Sequence, residues 1–235
     1  MTAAAEAPLP VQRRREVVRQ GLWVGLATGA YGISFGALSV AAGLSVAQTQ
    51  VLSLLLFSGG SQFAVVGVLG AGGSPVAAVA TSTLLGVRNG LYALRTSRFL
   101  GVDGVRRLLA AHVTIDESTA VGTAQAEGPA QRLGFWVTGL TVFSGWNLMT
   151  LAGALVGNAL GDPRTYGLDA AAAAAFAALL WPRLRDGDAA ATAVLAVAVA
   201  LLASPVLPAG LPVVLAGLAA VAVGLRPGRR PEPAP

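Results

Sequence analysis

The chain has 235 residues, of which 54% are hydrophobic and only 11% are charged, and its mean hydropathy is +0.68. A soluble domain carries roughly twice that share of charge. The formal net charge of +5 comes almost entirely from arginines before the first apolar run and after the last one, so no basic face for nucleic acid is expected. The sequence contains no cysteine, which excludes disulfides, thiolate catalysis and cysteine metal sites.

Five apolar runs have the length of a membrane span, which is about 20 residues for a helix. They occupy residues 21–43, 75–95, 133–160, 189–205 and 207–225. The first run is too long for the core of a signal peptide and lacks a cleavage pattern, so we expect it to be retained as a span.

Three further segments have an ambiguous pattern, and the excess of arginine on cytoplasmic loops helps to assign them. Residues 48–72 are interrupted by polar residues and glycines, residues 105–126 are helical in pattern but polar, and residues 170–181 are apolar but short. If the first two are broken and return to their own side while the third crosses, the arginine clusters all lie on one side. Seven full spans remain the alternative count.

The expected fold is therefore an all-α polytopic transmembrane helix bundle, with five to seven spans and one or two broken or re-entrant helices. We expect residues 1–20 to form a basic cytoplasmic tail, residues 21–225 the transmembrane domain, and residues 226–235 an Arg/Pro-rich tail. The basic N-terminus predicts a multi-pass protein of the bacterial inner membrane with a cytoplasmic N-terminus.

The first apolar run carries a stripe of glycines within an arc of about 80° on a helix. These glycines are Gly21, Gly25, Gly29, Gly32, Gly36 and Gly43. Small residues at this spacing let another helix backbone approach closely in lipid. Helix packing is one interpretation, and a smooth wall of a substrate path is the other.

Residues 57–63 break the second segment with polar side chains and flexible backbone at mid-membrane depth. Irregular backbone is tolerated there only when it is buried in protein or lines a water-filled cavity. Broken helices of transporters use such freed backbone groups to hold substrates and ions. The candidate substrate-binding residues here are Ser58, Gly59, Gly60, Ser61 and Gln62. A polar kink with a purely structural role is the alternative.

The next span carries Arg88, Asn89 and Tyr92 as further candidates for substrate binding. Arg88 lies deep in the run, where a charge costs about 2.5–3.5 kcal/mol even on the most lenient scale, so it needs a partner or a cavity. Asn147 in residues 133–160 is a fourth candidate, although a buried asparagine usually bonds across helices.

Residues 112–119 contain the most ionisable chemistry. On a continuous helix, His112 and Asp116 share one face with Thr119 and Thr123, and Glu117 points about 100° away. A second histidine is lacking, so no metal site is expected. Asp116 or Glu117 is expected to balance the charge of Arg88 or, together with His112, to carry protons. A surface loop is the alternative.

Several of these stretches, in their order and spacing, resemble the AzlC-type (azaleucine-resistance) branched-chain amino-acid permease family from about residue 17 to residue 225. The resemblance lies in residues 32–36, Phe57-Ser58-Gly59-Gly60-Ser61-Gln62-Phe63, Arg88-Asn89-Gly90-Leu91-Tyr92, Thr114-Ile115-Asp116-Glu117-Ser118 and residues 167–176. It implies export of branched-chain or similar amino acids together with a small AzlD-like membrane partner.

The absence of a Gly-Lys-Ser/Thr phosphate loop from the sequence argues against ATP hydrolysis by this chain, so proton-coupled transport without a cofactor is expected. A homo-oligomer stays open. Two other classes of function are weighed against transport: an intramembrane serine hydrolase with His112 as base, and a non-transporting scaffold whose glycine face docks a partner.

Overall fold

The computed structural model describes residues 9–160, 177, 180–208 and 210–224, and every regular element in these ranges is a helix. The all-α class expected from the sequence is confirmed. Along the chain the helices are α1 (Val11–Ala30), α2 (Gly32–Ala41), α3 (Val46–Leu55), α4 (Gly59–Gly70), α5 (Pro75–Leu100), α6 (Gly104–His112), α7 (Asp116–Thr123), α8 (Gly128–Leu160), a 3-10 helix (Trp181–Arg185), α9 (Gly187–Ala203) and α10 (Leu211–Gly224). Most of the short apolar segment 170–181 and the tail 226–235 lie outside the described residues.

The first helix begins at Val11, well before the apolar run that predicted it, and continues into α2 after a single turn residue, Tyr31. Arg13 explains part of this early start. Its guanidinium donates a 2.9 Å hydrogen bond to Gln125 Oε1 and lies 3.6 Å from the Glu127 carboxylate. These contacts tie the start of α1 to the loop before α8, and residues 11–20 are helical.

The glycine stripe of α1 and α2 packs directly against α8. A Cβ atom at Gly29 would lie 3.1 Å from the Cα of Gly145, and one at Gly36 would collide with the Thr150 carbonyl oxygen. Glycines of α8 complete the contact, since a Cβ at Gly157 would lie 3.0 Å from the Cα of Ala37. The structure therefore supports the packing interpretation of the stripe. Gly43 differs: it has a φ of +94° and follows the end of α2.

The two packed helices run parallel, because the contact partners rise in number together. Gly21 faces Thr138, Gly29 faces Gly145, and Gly36 faces Thr150 and Ala154. The starts of α1 and α8 consequently lie at one end of the bundle, and the ends of α2 and α8 lie at the other.

The segment 48–72 is broken where the sequence predicted a break. Leu56, Phe57 and Ser58 separate α3 from α4. The Gln62 side chain donates a 3.2 Å hydrogen bond to the Ser53 carbonyl and thereby satisfies one of the carbonyls that the last turn of α3 leaves free. Helix α4 then runs back to the end of α2, since a Cβ at Gly70 would lie 3.3 Å from the Cβ of Ala42. Helices α3 and α4 therefore form a hairpin, which we call the first hairpin.

Helix α5 runs antiparallel to α8. The Phe99 carbonyl near the end of α5 accepts a hydrogen bond from Arg132 near the start of α8. Nearer the start of α5, the Ser82 carbonyl accepts a hydrogen bond from Ser61 of the first hairpin. Helices α6 and α7 form a second hairpin, which enters from the end of α5. Its tip lies at Val113, Thr114 and Ile115.

This break corrects one expectation: His112, Asp116, Thr119 and Thr123 do not lie on one face of a continuous helix. Side chains compete for the backbone at the tip. Thr114 Oγ1 donates to the Ala110 carbonyl and Ser118 Oγ donates to the Val113 carbonyl, both at 2.7 Å, and the Ile115 amide donates to Ser118 Oγ at 3.1 Å. Such local bonds give the backbone an alternative to the helical ladder.

Two helical stretches among the described residues are both long and apolar enough to cross a membrane, namely Val11–Ala41 and Gly128–Ala159. Helices α3, α4, α9 and α10 are apolar but shorter. Helix α5 has 26 residues but includes several arginines. The number of spans expected from the sequence thus stays a prediction.

The contact between the glycine stripe and α8 predicts a strong dependence on side-chain size. We expect Gly36→Ala to destabilise the protein by about 1–3 kcal/mol, because the new methyl group meets the backbone of α8. The measurement is thermal unfolding in detergent. Gly67→Ala is the matched control: it lies inside α4 with no atom within 4 Å of the added Cβ, so the change should be neutral or slightly stabilising. Equal effects of the two substitutions would contradict the close approach.

Candidate functional site at the hairpin tips

The tips of the two hairpins meet in the middle of the bundle. The ring of Phe57 from the first tip lies 6.0 Å from the ring of His112, the last residue of α6. Both rings pack edge-on against Phe143 of α8, at 5.1 and 5.4 Å. The ring of His112 therefore has two aromatic neighbours, the rings of Phe57 and Phe143.

Next to the tips, Arg88 of α5 forms an ion pair with Asp116, the first residue of α7. Arg88 Nη1 lies 3.0 Å from Asp116 Oδ2, and Tyr92 donates a 2.6 Å hydrogen bond to Asp116 Oδ1. About a third of each charged side chain remains exposed. Of the two acids offered by the sequence, Asp116 thus makes the direct ion pair with Arg88, and it does so within reach of solvent or a ligand.

Gly60 lets the guanidinium of Arg88 lie directly over the first turn of α4. A Cβ atom at Gly60 would lie 2.9 Å from Arg88 Nη2. The first turn of a helix carries backbone N–H groups that the helix itself does not pair and a partial positive charge. The guanidinium and this helix end both favour an anion at the same place.

Glu117 adds a second carboxylate to the site. Its side chain lies beside Thr28 of α1 and within electrostatic range of Asp116 and Arg88. One guanidinium and two carboxylates therefore lie together, and the second carboxylate gives the cluster a place for a ligand cation. Thr28 was not predicted as a site residue, because in the sequence it is only a single hydroxyl side chain among the glycines and apolar residues of the first span.

The buried polar atoms without a hydrogen-bond partner include Arg88 Nε in the ion pair, Asn89 Oδ1 on the next residue of α5, and Trp146 Nε1 of α8. An unsatisfied buried polar atom costs about 1–3 kcal/mol. A hydrogen bond between a ligand and any of these atoms would therefore be favourable. The Trp146 ring lies 3.3 Å from the position of a Cβ on Gly59. The local sequence carries no signal that places Trp146 beside the break.

Other candidates have structural partners instead. Ser58 Oγ donates to Ser61 Oγ at 3.2 Å, and Ser61 Oγ in turn donates to the Ser82 carbonyl at 3.1 Å, which ties the first hairpin to α5. Asn147 Nδ2 donates to the Phe143 carbonyl at 2.8 Å, and Asn147 Oδ1 accepts from Gln50 of α3 at 3.4 Å. Asn147 therefore bonds to α3 rather than to the ion pair.

Comparison with known proteins gives one family. A family model described as AzlC protein matches residues 24–160, which is more than half of the chain. No match was found among curated proteins or among solved structures. The matched range includes both hairpins and all the residues of the ion-pair cluster.

The ion pair predicts a measurable coupling between Arg88 and Asp116. In a double-mutant cycle with Arg88→Gln and Asp116→Asn, we expect a coupling energy between about 0.5 and 3 kcal/mol, as for charges in one network. Thermal unfolding in detergent provides the stabilities.

Arg13 and Glu16 form an (i, i+3) pair 3.6 Å apart on α1 and serve as the control cycle, which should show a coupling of only about 0.2–0.5 kcal/mol. Additive effects of Arg88→Gln and Asp116→Asn would contradict the ion pair.

Proposed function

Because the chain belongs to the AzlC family, we propose that it is the membrane subunit of a secondary transporter that exports branched-chain or related apolar amino acids. AzlC is a transporter family associated with branched-chain amino-acid transport, not a family of enzymes. The family and the apolar helices identify the chain as a membrane protein. Family membership also argues against the serine hydrolase alternative.

The observation that carries the proposal is the Arg88–Asp116 ion pair at the point where the two hairpin tips meet. An amino acid is a zwitterion, so a site needs donors for its carboxylate and acceptors for its ammonium group. Arg88 and the first turn of α4 supply the donors. Asp116 and Glu117 supply the acceptors. The substrate would replace the internal ion pair with two intermolecular ones.

The side chain of the substrate also has a suitable environment. Phe57, Phe143 and Trp146 lie at the tip of the first hairpin and present aromatic surface next to the charged groups. Such rings offer large apolar area to a branched aliphatic side chain. This arrangement supports a preference for valine, leucine, isoleucine and methionine over polar amino acids.

Export also needs an energy source, and we propose the proton gradient. Asp116 and Glu117 are neighbours in α7 and share one cation, Arg88. The guanidinium can balance only one of these two carboxylates, and we assign the other to carry the coupled proton. Protonation of either acid would weaken its hold on an ammonium group and thereby link substrate release to proton movement.

The orientation in the membrane follows from the arginines. Helix α1 begins with Arg13, Arg14, Arg15 and Arg19, and Arg132 follows the start of α8 at the same end of the bundle. The excess of arginine on cytoplasmic segments supports a cytoplasmic N-terminus in a bacterial inner membrane. We also propose a small AzlD-like membrane partner, on the strength of the family alone.

Transport assays test the proposed substrate and site together. Proteoliposomes are loaded with valine, leucine, isoleucine or methionine and prepared with and without the small partner. They should release the amino acid faster than liposomes without protein. We expect Arg88→Ala and Asp116→Asn to reduce efflux at least about tenfold, the effect of losing about 1.4 kcal/mol of binding. Arg95→Gln, an exposed arginine of the same helix, should keep the rate within about twofold.

Collapse of the proton gradient should abolish net export against a concentration difference. Wild-type vesicles that move none of the four amino acids in either composition would contradict the proposed function and favour a scaffold. Unchanged efflux in both Arg88→Ala and Asp116→Asn would remove these residues from the mechanism.

The proposed topology is open to cysteine labelling, since the natural chain contains no cysteine. Ala47→Cys and Ala71→Cys flank the first hairpin and Ala126→Cys follows the second, and all three positions are exposed. In intact cells, a membrane-impermeant maleimide should label the first two at once but label Ala126→Cys only after permeabilisation. Labelling of Ala47→Cys and Ala71→Cys from opposite sides would mean that α3 and α4 cross the membrane.

A further inference from the structure

Two segments of the chain repeat the same sequence of structural features. In each, a glycine with positive φ follows a long helix: Gly43 at +94° after α2 and Gly101 at +55° after α5. Two residues later, Ser45 and Asp103 occupy the N-cap positions of short helices of 10 and 9 residues, α3 and α6. The glycine and the N-cap residue are therefore two residues apart in both segments.

The equivalence continues through the hairpin tips. Helical structure is interrupted at residues 56–58 in the first hairpin and at residues 113–115 in the second. The second helix of each hairpin starts at Gly59 and Asp116, respectively. In both tips a serine at the third position of the returning helix bonds back to the residue before that helix. Ser61 shares a hydrogen bond with the Ser58 hydroxyl, and Ser118 accepts from the Ile115 amide.

The two units have opposite directions in the bundle. Helices α1 and α2 run parallel to α8, whereas α5 runs antiparallel to it. Each hairpin returns to the end of its own long helix. A Cβ at Gly70 would lie 3.3 Å from Ala42, and a Cβ at Gly122 would lie 3.2 Å from the Phe99 ring near the end of α5. The first hairpin therefore enters from one end of the bundle and the second from the other.

Contacts between the units are also equivalent. Arg88, on the long helix of the second unit, covers Gly60, the second residue of α4. Thr28, on the long helix of the first unit, lies beside Glu117, the second residue of α7. Each long helix thus reaches the same position in the hairpin of the other unit, and the ion-pair cluster lies where these contacts meet.

We propose that residues 11–70 and 75–123 are inverted-topology repeats and that their hairpins are the two gates of the transport path. The proposal rests on the proposed function. Two similar units of opposite orientation can exchange conformations, so that the path opens first at one end and then at the other around a fixed site. Phe57, His112 and Phe143 form the barrier that both gates share.

Accessibility of the site from both sides tests the gates without knowledge of the substrate. Asn89→Cys places a single thiol on α5 at the residue after Arg88, and Ser58→Cys places one at the first tip. In proteoliposomes of one orientation, an impermeant maleimide should label each thiol whether it is added outside or trapped inside. Ala47→Cys and Ala126→Cys are the controls and should each react from one side only. Labelling of both reporters from one side only, or from neither side, overturns the proposal.

Disulfides across the tips provide the second test. The cysteine pair at Val113 and Gly139 joins the second tip to α8, with Cβ positions 3.1 Å apart, slightly closer than the roughly 3.5–4.5 Å of a disulfide. The pair at Ser61 and Gly86 joins the first hairpin to α5, where a Cβ at Gly86 would lie 3.6 Å from Ser61 Oγ. We expect oxidation of either pair to reduce efflux at least about tenfold and a reductant to restore it.

The pair at Ala42 and Gly70 is the matched control, because it joins the base of the first hairpin, where little movement is required. Oxidation of this pair should leave more than half of the efflux. Full efflux after complete cross-linking of either tip pair overturns the proposal. If the wild-type protein moves none of the amino acids, the proposed function fails, and the labelling experiment still decides whether the two gates exist.

Discussion

The close approach of two parallel helix backbones is the constraint on which the other elements depend. Glycines on α1 and α2 meet α8, and glycines on α8 such as Gly153 and Gly157 meet α2 in return. Lipid offers no hydrophobic force to bring apolar helices together, so close van der Waals packing has to hold them. The resulting pair gives both hairpins a common wall, where Phe143 and Trp146 receive the tip of the first hairpin and Val113 of the second packs on Gly139.

Hairpins of this kind need side chains to satisfy their interrupted backbone. Gln62 bonds to the carbonyl of Ser53 in the first hairpin, and Thr114 and Ser118 bond to carbonyls of the second. Because these bonds are made locally, irregular backbone can lie inside the bundle without unsatisfied carbonyls at those positions. The same breaks create two helix ends at mid-bundle, and Arg88 and Asp116 lie beside them.

The ion pair has a consequence for the transport that we propose. Arg88 and Asp116 already contact each other directly, with Tyr92 as a third partner. On that proposal, a zwitterion that inserts between them would exchange one set of charge-assisted bonds for another, so its binding would be weak enough to permit release. The two inverted units would let such an exchange occur alternately towards each end.

The sequence by itself determined the helical class, a break within residues 57–63 and the need of Arg88 for a countercharge. These features depend on local apolar periodicity, on glycine and serine within a run, and on the cost of an isolated charge. Only the tertiary structure decided that Asp116 pairs directly with Arg88, that Thr28 lies beside Glu117 and that the chain bends between His112 and Asp116. Periodicity treats residues 112–123 as one helix because it contains no information on which carbonyls Thr114 and Ser118 will bind. Those choices, like the early start of α1 through Arg13 and Gln125, depend on residues that are distant in the chain and meet only after the helices have packed.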